Sequence, residues 1–227
     1  MTRKIALLLT LTFASTAFAA DGPVERWAKA VGGREKVAAI KTIYREGTIE
    51  VGAFQGTIKV WHTAEGKYRK EEQVATFSSV EICDGTNVSI RKGAETKMLA
   101  DDELAVERSK AFANSNAMFF VFFPQRHRGG SITPDGDDAT VFKPEGGVEW
   151  RVTLDPTTSL PSTMTHKEGD KTIAVSFASY ETIDGIQFEK EIRRSGGDGR
   201  PGAIIRFTKT VINPAVDASM FAPEAAK

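Results

Sequence analysis

One cysteine, Cys83, stands alone among 227 residues. A lone thiol closes no intramolecular disulfide, so stability has to come from burial and strand pairing. Histidine is scarce as well: His62, His127 and His166 lie far apart, with no HExxH or other metal-ligand spacing. No charge of either sign dominates, since 30 basic residues meet 30 acidic ones. That balance, without a basic cluster, argues against nucleic acid as a partner and against electrostatic docking on an anionic membrane. The chain also lacks a Gly-x-Ser-x-Gly elbow, a phosphate-cradling Gly-rich loop with a Lys, and a strand–GxGxxG–helix unit. These absences leave no catalytic constellation, no cofactor site and no metal site to expect. No stretch is apolar for the about 20 residues that a membrane-spanning helix needs.

What is present starts at the N-terminus. Arg3 and Lys4 form a short positive region, Ile5 to Ala14 is almost wholly apolar, and Ala17-Phe18-Ala19 offers small residues where a signal peptidase reads. Residues 1–19 are therefore expected to be a cleaved secretory leader, cut before Ala20. An uncleaved anchor helix fits less well, because the apolar run is short and ends in a cleavage-like site. With no Cys at the cut there is no site for a lipid anchor. The expected product is a soluble protein outside the cytoplasm, with residues 20–227 as one domain, since no linker or charge block divides them.

Pro23 to Ile40 reads as one or two short helices, with Val24, Trp27, Ala28 and Val31 at helical spacing and Gly32-Gly33 as a stop. From Lys41 the period changes to two. Strands are expected over Lys41–Val51, Thr57–His62, Lys67–Ala75, Phe77–Cys83, Asn87–Lys92 and Glu95–Leu99, joined by short turns that include Glu65-Gly66, Asp84-Gly85 and Gly93-Ala94. Ala100 to Phe123 has no Gly or Pro, opens with Asp101-Asp102-Glu103 and is closed by Pro124, so it reads as one long helix. A loop through Gly129-Gly130 leads to further strands: Ala139–Lys143, Val148–Leu154, Ser162–Lys167, Thr172–Phe177, Ile186–Arg194 and Ala203–Ile212. The pattern predicts an α+β fold: a large, curved antiparallel sheet of about ten or eleven strands closed by helices.

Few residues invite chemistry. Cys83 follows Val80 and Ile82 in an alternating pattern and reads as a small core residue at a strand end. Asp135, Asp137 and Asp138 around Gly136 read as a polar hairpin turn, because the later Glu of an EF-hand loop is missing. Met118-Phe119-Phe120-Val121-Phe122-Phe123 is different. A surface helix needs one apolar stripe, whereas this turn is apolar all round. It is either core packing or part of the wall of a greasy cavity between helix and sheet. In the second reading Trp61, Met118, Phe119, Phe120, Phe122, Phe123, Trp150 and Phe177 are the candidate ligand-binding residues.

Several short motifs carry a resemblance. They are Ala30-Val31-Gly32-Gly33 with Ile40-Lys41-Thr42 and Gly47; Leu154-Asp155-Pro156 with Thr158 and Leu160-Pro161; Phe177, Tyr180 and Ile183-Asp184-Gly185-Ile186; and Ile212-Asn213-Pro214 with Val216-Asp217, Ser219 and Phe221. In order and spacing this set resembles the LolA-like outer-membrane lipoprotein-sorting superfamily of periplasmic carriers. The sequence departs from the pattern at Asn87-Val88, where many relatives carry a Trp, and at Ile186-Gln187-Phe188, where a Pro is often found. The resemblance implies an incomplete β-barrel closed by helices around a hydrophobic cavity. It further implies a periplasmic carrier that shelters the acyl chains of a lipoprotein or lipid without catalysis, exchanging them with a membrane-bound donor or acceptor protein. The alternative within the same fold is a sensor or assembly module that binds a partner protein.

Deleting residues 1–19 should leave the chain in the cytoplasm, and N-terminal sequencing of the exported form should begin at Ala20. Export of the truncated chain would rule the leader out.

Overall fold

The computed structural model describes residues 21–123, 130–195 and 202–225. The expected leader, His127 and nearly all of the expected Ser195–Gly199 turn lie outside the described residues. Pro23 sits in the first turn of helix α1 (Pro23–Ala30), where its missing N–H costs nothing. The chain then turns at Gly32 into the short helix α2 (Arg34–Ala38). Gly32 has φ 123°, and a Cβ there would lie 2.3 Å from the carbonyl oxygen of Gly185. Only glycine lets helix α1 approach that turn so closely. The Gly32-Gly33 and Asp184-Gly185 motifs are thus two halves of one contact, sealed by the Gln187 N–H donating to the Val31 carbonyl at 2.9 Å.

The period-two segments form a first meander: β1 (Thr42–Val51), β2 (Phe54–Thr63), β3 (Tyr68–Val74), β4 (Phe77–Cys83), β5 (Val88–Lys92) and β6 (Glu95–Met98). Helix α3 (Asp101–Phe122) follows, with its acidic first turn at the positive end of the helix dipole. The second meander is β7 (Gly130–Pro134), β8 (Ala139–Pro144), β9 (Trp150–Leu154), β10 (Pro161–Glu168), β11 (Lys171–Ile183), β12 (Ile186–Arg194) and β13 (Ala203–Ile212). All pairs are antiparallel in one 13-stranded sheet, ordered β6-β5-β4-β3-β2-β1-β13-β12-β11-β10-β9-β8-β7. The expected antiparallel sheet with covering helices is therefore present, and it is open, with β6 and β7 as its free edges.

The strand number is higher than expected. β7 occupies a stretch read as loop, because Gly130-Ser131-Ile132-Thr133-Pro134 offers one apolar residue and no alternation. Backbone pairing with β8, from Gly130↔Pro144 to Pro134↔Thr140, makes it a strand. β11 likewise runs on to Ile183 through bulges near Ser179.

The first and last strands form the seam between the meanders, paired from Ile43↔Ile212 to Val51↔Ala203. The register shifts at Glu46/Gly47. A Cβ on Gly47 would lie 2.0 Å from the carbonyl oxygen of Arg206, so this close crossing requires glycine. Because β6 and β7 are opposite edges, α3 must cross the sheet; its 22 residues reach about 33 Å. It packs on the inner face against β2, β5 and β8.

The core lies between that inner face and the three helices. Ala117 to Phe122 are all buried, so the apolar turn of α3 is covered on every side. Phe122 meets Trp27 edge-on at 5.1 Å, and Phe120 packs on Phe142 at 5.3 Å. Arg34 donates to the Phe122 carbonyl at 2.8 Å, satisfying the end of α3. Ser109 ties the middle of α3 to the sheet by accepting from the Val148 N–H at 2.8 Å. After β13 the chain crosses the outer face, where Phe221 is buried, Arg69 donates to the Met220 carbonyl and Arg91 pairs with Glu224 at 2.9 Å.

Phe120→Ala should cost about 3–5 kcal/mol of stability, read as a lower denaturant midpoint. An unchanged midpoint would remove Phe120 from the core.

Candidate functional site

Strand register sorts the inner face into zones. At the helix-covered end stand Ile43, His62, Tyr68 and Cys83, with the His62 and Tyr68 rings stacked at 5.6 Å. Burial pushes the Cys83 thiol up to about 11, which leaves it an unreactive core group. Burial and then Arg45 hold His62 well below its ordinary value, so the imidazole is neutral.

Next comes a belt of charge. Arg45 is 2% exposed, stacks over the Phe207 ring at 3.7 Å, and donates to the Glu189 carboxylate at 3.2 Å and to the Glu189 carbonyl. Lys70 pairs with Glu81 at 2.8 Å, and Arg194 donates to Glu72 at 2.9 Å. Burial alone would raise the Glu72 carboxyl, but Lys70 and Arg194 outweigh it and hold Glu72 below the ordinary carboxylate value. Desolvation likewise opposes charge on Lys70; Glu72 and Glu81 reverse it and hold the ammonium above its usual range. A small cavity of about 30 Å³ sits here, bordered by Arg45, His62, Tyr68, Lys70 and Arg194 among apolar side chains.

Beyond the belt the barrel opens. The β1–β2 and β3–β4 hairpin ends carry Val51, Phe54, Val74 and Phe77, which with Ile49 and Ala203 line an open pocket of about 400 Å³. Phe54 is 61% exposed and Phe77 50%. Two bare phenyl rings at one mouth form an apolar surface that solvent alone does not explain. Glu72 and Arg194 form the inner side of this mouth.

The residues singled out from sequence are distributed differently. Met118, Phe119, Phe120, Phe122 and Trp150 are buried in the packed core, and Phe123 and Phe177 lie half-buried against it. Trp61 is not with them. It alternates with Val60 and His62, so it faces outward, where it packs on Tyr44 at 4.9 Å. Trp150 stacks on His166 at 4.0 Å, and its Nε1 and the His166 Nδ1 have no hydrogen-bond partner. Asp135 pairs with Arg151 and Asp138 with Arg26, which accounts for two members of the aspartate cluster as ion-pair partners. Sequence reasoning missed the mouth and the belt. The signal for the mouth was present in Phe54 and Phe77, apolar residues placed beside tight turns where polar ones are usual.

No protein-family model matches the chain, and no curated protein does. Solved structures match along nearly its whole length. A DUF1329 family protein from Desulfovibrio piger superposes with a TM-score of 0.52 at 10% identity, over 89% of this chain and 98% of that one. A LolA superfamily protein from Nitrosomonas europaea gives 0.53 at 7% identity, over 88% and 96%. The chain has the LolA-like fold. A domain named for outer membrane lipoprotein sorting, from Vibrio parahaemolyticus, agrees with a TM-score of 0.51 at 8% identity, over 87% and 97%. At such identities the likeness is one of architecture: an open antiparallel sheet wrapped on helices. No helix among the described residues is long and apolar enough to cross a membrane.

Lys70→Met should strip the buried Glu81 of its ion-pair partner and cost about 3–5 kcal/mol. Acid should weaken the native protein too. Glu72 is held below its ordinary 4.5, so its contribution is complete above that value and is lost as pH falls through the folded one. Unfolding midpoints measured from pH 7 downward check both expectations.

Proposed function

We propose that the protein is a periplasmic binding or carrier protein that holds the acyl chain of a lipid or lipid-modified protein at the mouth of its open barrel, with no chemical step. The observation that carries this is the open apolar pocket of about 400 Å³ flanked by the exposed rings of Phe54 and Phe77. Its volume falls in the range of small-molecule sites. Each CH₂ moved from water into it contributes about 0.8 kcal/mol, so a few apolar side chains suffice for useful affinity. The LolA-like fold supports a carrier role, and the proposed leader supports a periplasmic one. In this proposal exchange takes place with a membrane-bound donor or acceptor.

The aromatic end of α3 packs instead against α1, α2 and β8 through Trp27, Arg34 and Phe142; Trp150 is buried in the same packed core, and Phe177 pairs with Ile192 on β12. Met118, Phe119, Phe120, Phe122 and Phe123 serve a ligand only if α3 lifts from the sheet. That packed interior favours a second reading, in which the mouth receives an apolar segment of a partner protein rather than a lipid.

Phe54→Asp together with Phe77→Asp should weaken binding of a fluorescent acyl probe about tenfold or more, while stability changes little because both side chains are exposed. Full retention of probe binding would move the site elsewhere. No binding by the native protein would favour the partner reading.

A further inference from the structure

The mouth has a floor. On four strands its lining stops at Phe54, Glu72, Arg194 and Ala203, and the groups further in on the same strands, Ile58, Lys70, Ile192 and Ile205, line the small cavity instead. Arg194 alone borders both spaces. Its guanidinium donates to Glu72 at 2.9 Å. Glu72 is on β3 and Arg194 on β12, with β2, β1 and β13 between them, so this bond spans the curl of the sheet like a bar. Glu72 and Arg194 are also the only charged groups among the described residues that line the mouth, and each neutralises the other. Charge complementarity therefore selects an uncharged occupant. A charged head driven to this depth would shed its hydration and find both groups already paired.

Strand register sets the depth of that floor. Along β2, Phe54 at the rim lies four residues from Ile58, the register partner of Glu72, a distance of about 14 Å at about 3.4 Å per residue. An extended alkyl chain advances about 1.3 Å per carbon, given zigzag C–C bonds of about 1.5 Å. We propose that the mouth takes one alkyl chain tail-first along β2, that the Glu72–Arg194 pair is its stop, and that the bound segment is about ten to twelve carbons long. This rests on the acyl-binding reading and gives it a ligand class: a medium-length chain, or the tail of a longer one whose remainder and head group stay in solvent. Each methylene above the floor gains by leaving water. A methylene beyond that length has no apolar wall left to cover it.

The test is displacement of a fluorescent acyl probe from the mature full-length chain by hexanoate, octanoate, decanoate, dodecanoate, tetradecanoate and hexadecanoate, each below its micelle concentration. Affinity should rise about fourfold per CH₂ up to decanoate and level off by dodecanoate, with hexadecanoate within about twofold of it. The double variant Glu72→Ala/Arg194→Ala removes the stop without stranding a charge, because Lys70 keeps Glu81 at 2.8 Å. In it the levelling should move to tetradecanoate or beyond, as the mouth and the cavity become one space. A rise that continues undiminished to hexadecanoate in the native protein would overturn the floor while leaving the acyl site standing. An unmoved break in a double variant of native strand content would overturn it as well. If neither the probe nor any carboxylate binds the native protein, the acyl reading itself falls.

Discussion

The ladder between β1 and β13 joins the first strand of the chain to the last, and the other features follow from it. Each meander alone is a sheet with one apolar face and two edges. Pairing their inner strands makes a surface wide enough to curl, and it sends the meanders' outer strands, β6 and β7, to opposite edges. The connection between those edges then has to travel across the inner face, which is why α3 is long and why its far end is apolar on all sides. The helix covers one end of the curled sheet, with α1 and α2 clasping its C-terminus through Trp27 and Arg34. Nothing among the described residues covers the other end in the same way, and the mouth is the result.

Charge inside such a sheet is costly unless each group is paired. Lys70 and Glu72 on β3 and Glu81 on the adjacent β4 meet this condition through strand register, while Arg194 reaches Glu72 from β12, across the curl of the sheet with β2, β1 and β13 between them. Arg45 meets it with Glu189 and with the faces of Phe207 and Phe188. The belt divides a dry core from a wettable mouth. A fully apolar inner face would have joined the two regions and left no polar boundary for a ligand to orient against.

Much of the architecture was legible in the sequence because the signals were local. The Asp-Gly and Glu-Gly turns, the change of period at Lys41 and the Gly- and Pro-free stretch before Pro124 marked the meanders and α3. The seam was not legible, since no local pattern says that Ile43 faces Ile212. Trp61 was misplaced for a related reason: both faces of β2 carry apolar residues, and alternation alone does not say which face is inner. β3 reads Tyr68-Arg69-Lys70-Glu71-Glu72-Gln73, almost wholly polar, and so resembles a solvated strand. Its inner half is buried because β4 and β12 bring partners that only the tertiary fold reveals.

The position of the seam also governs the order of assembly. While the chain emerges from the ribosome, the first meander can form its hairpins, but β1 lacks its second neighbour until β13 has been made. The most distant pairing is completed last, and folds rich in such pairings form slowly. A chain of this design remains incomplete, and easily threaded, throughout its own synthesis. A topology completed last suits the export proposed for this chain, in which the polymer crosses a membrane unfolded.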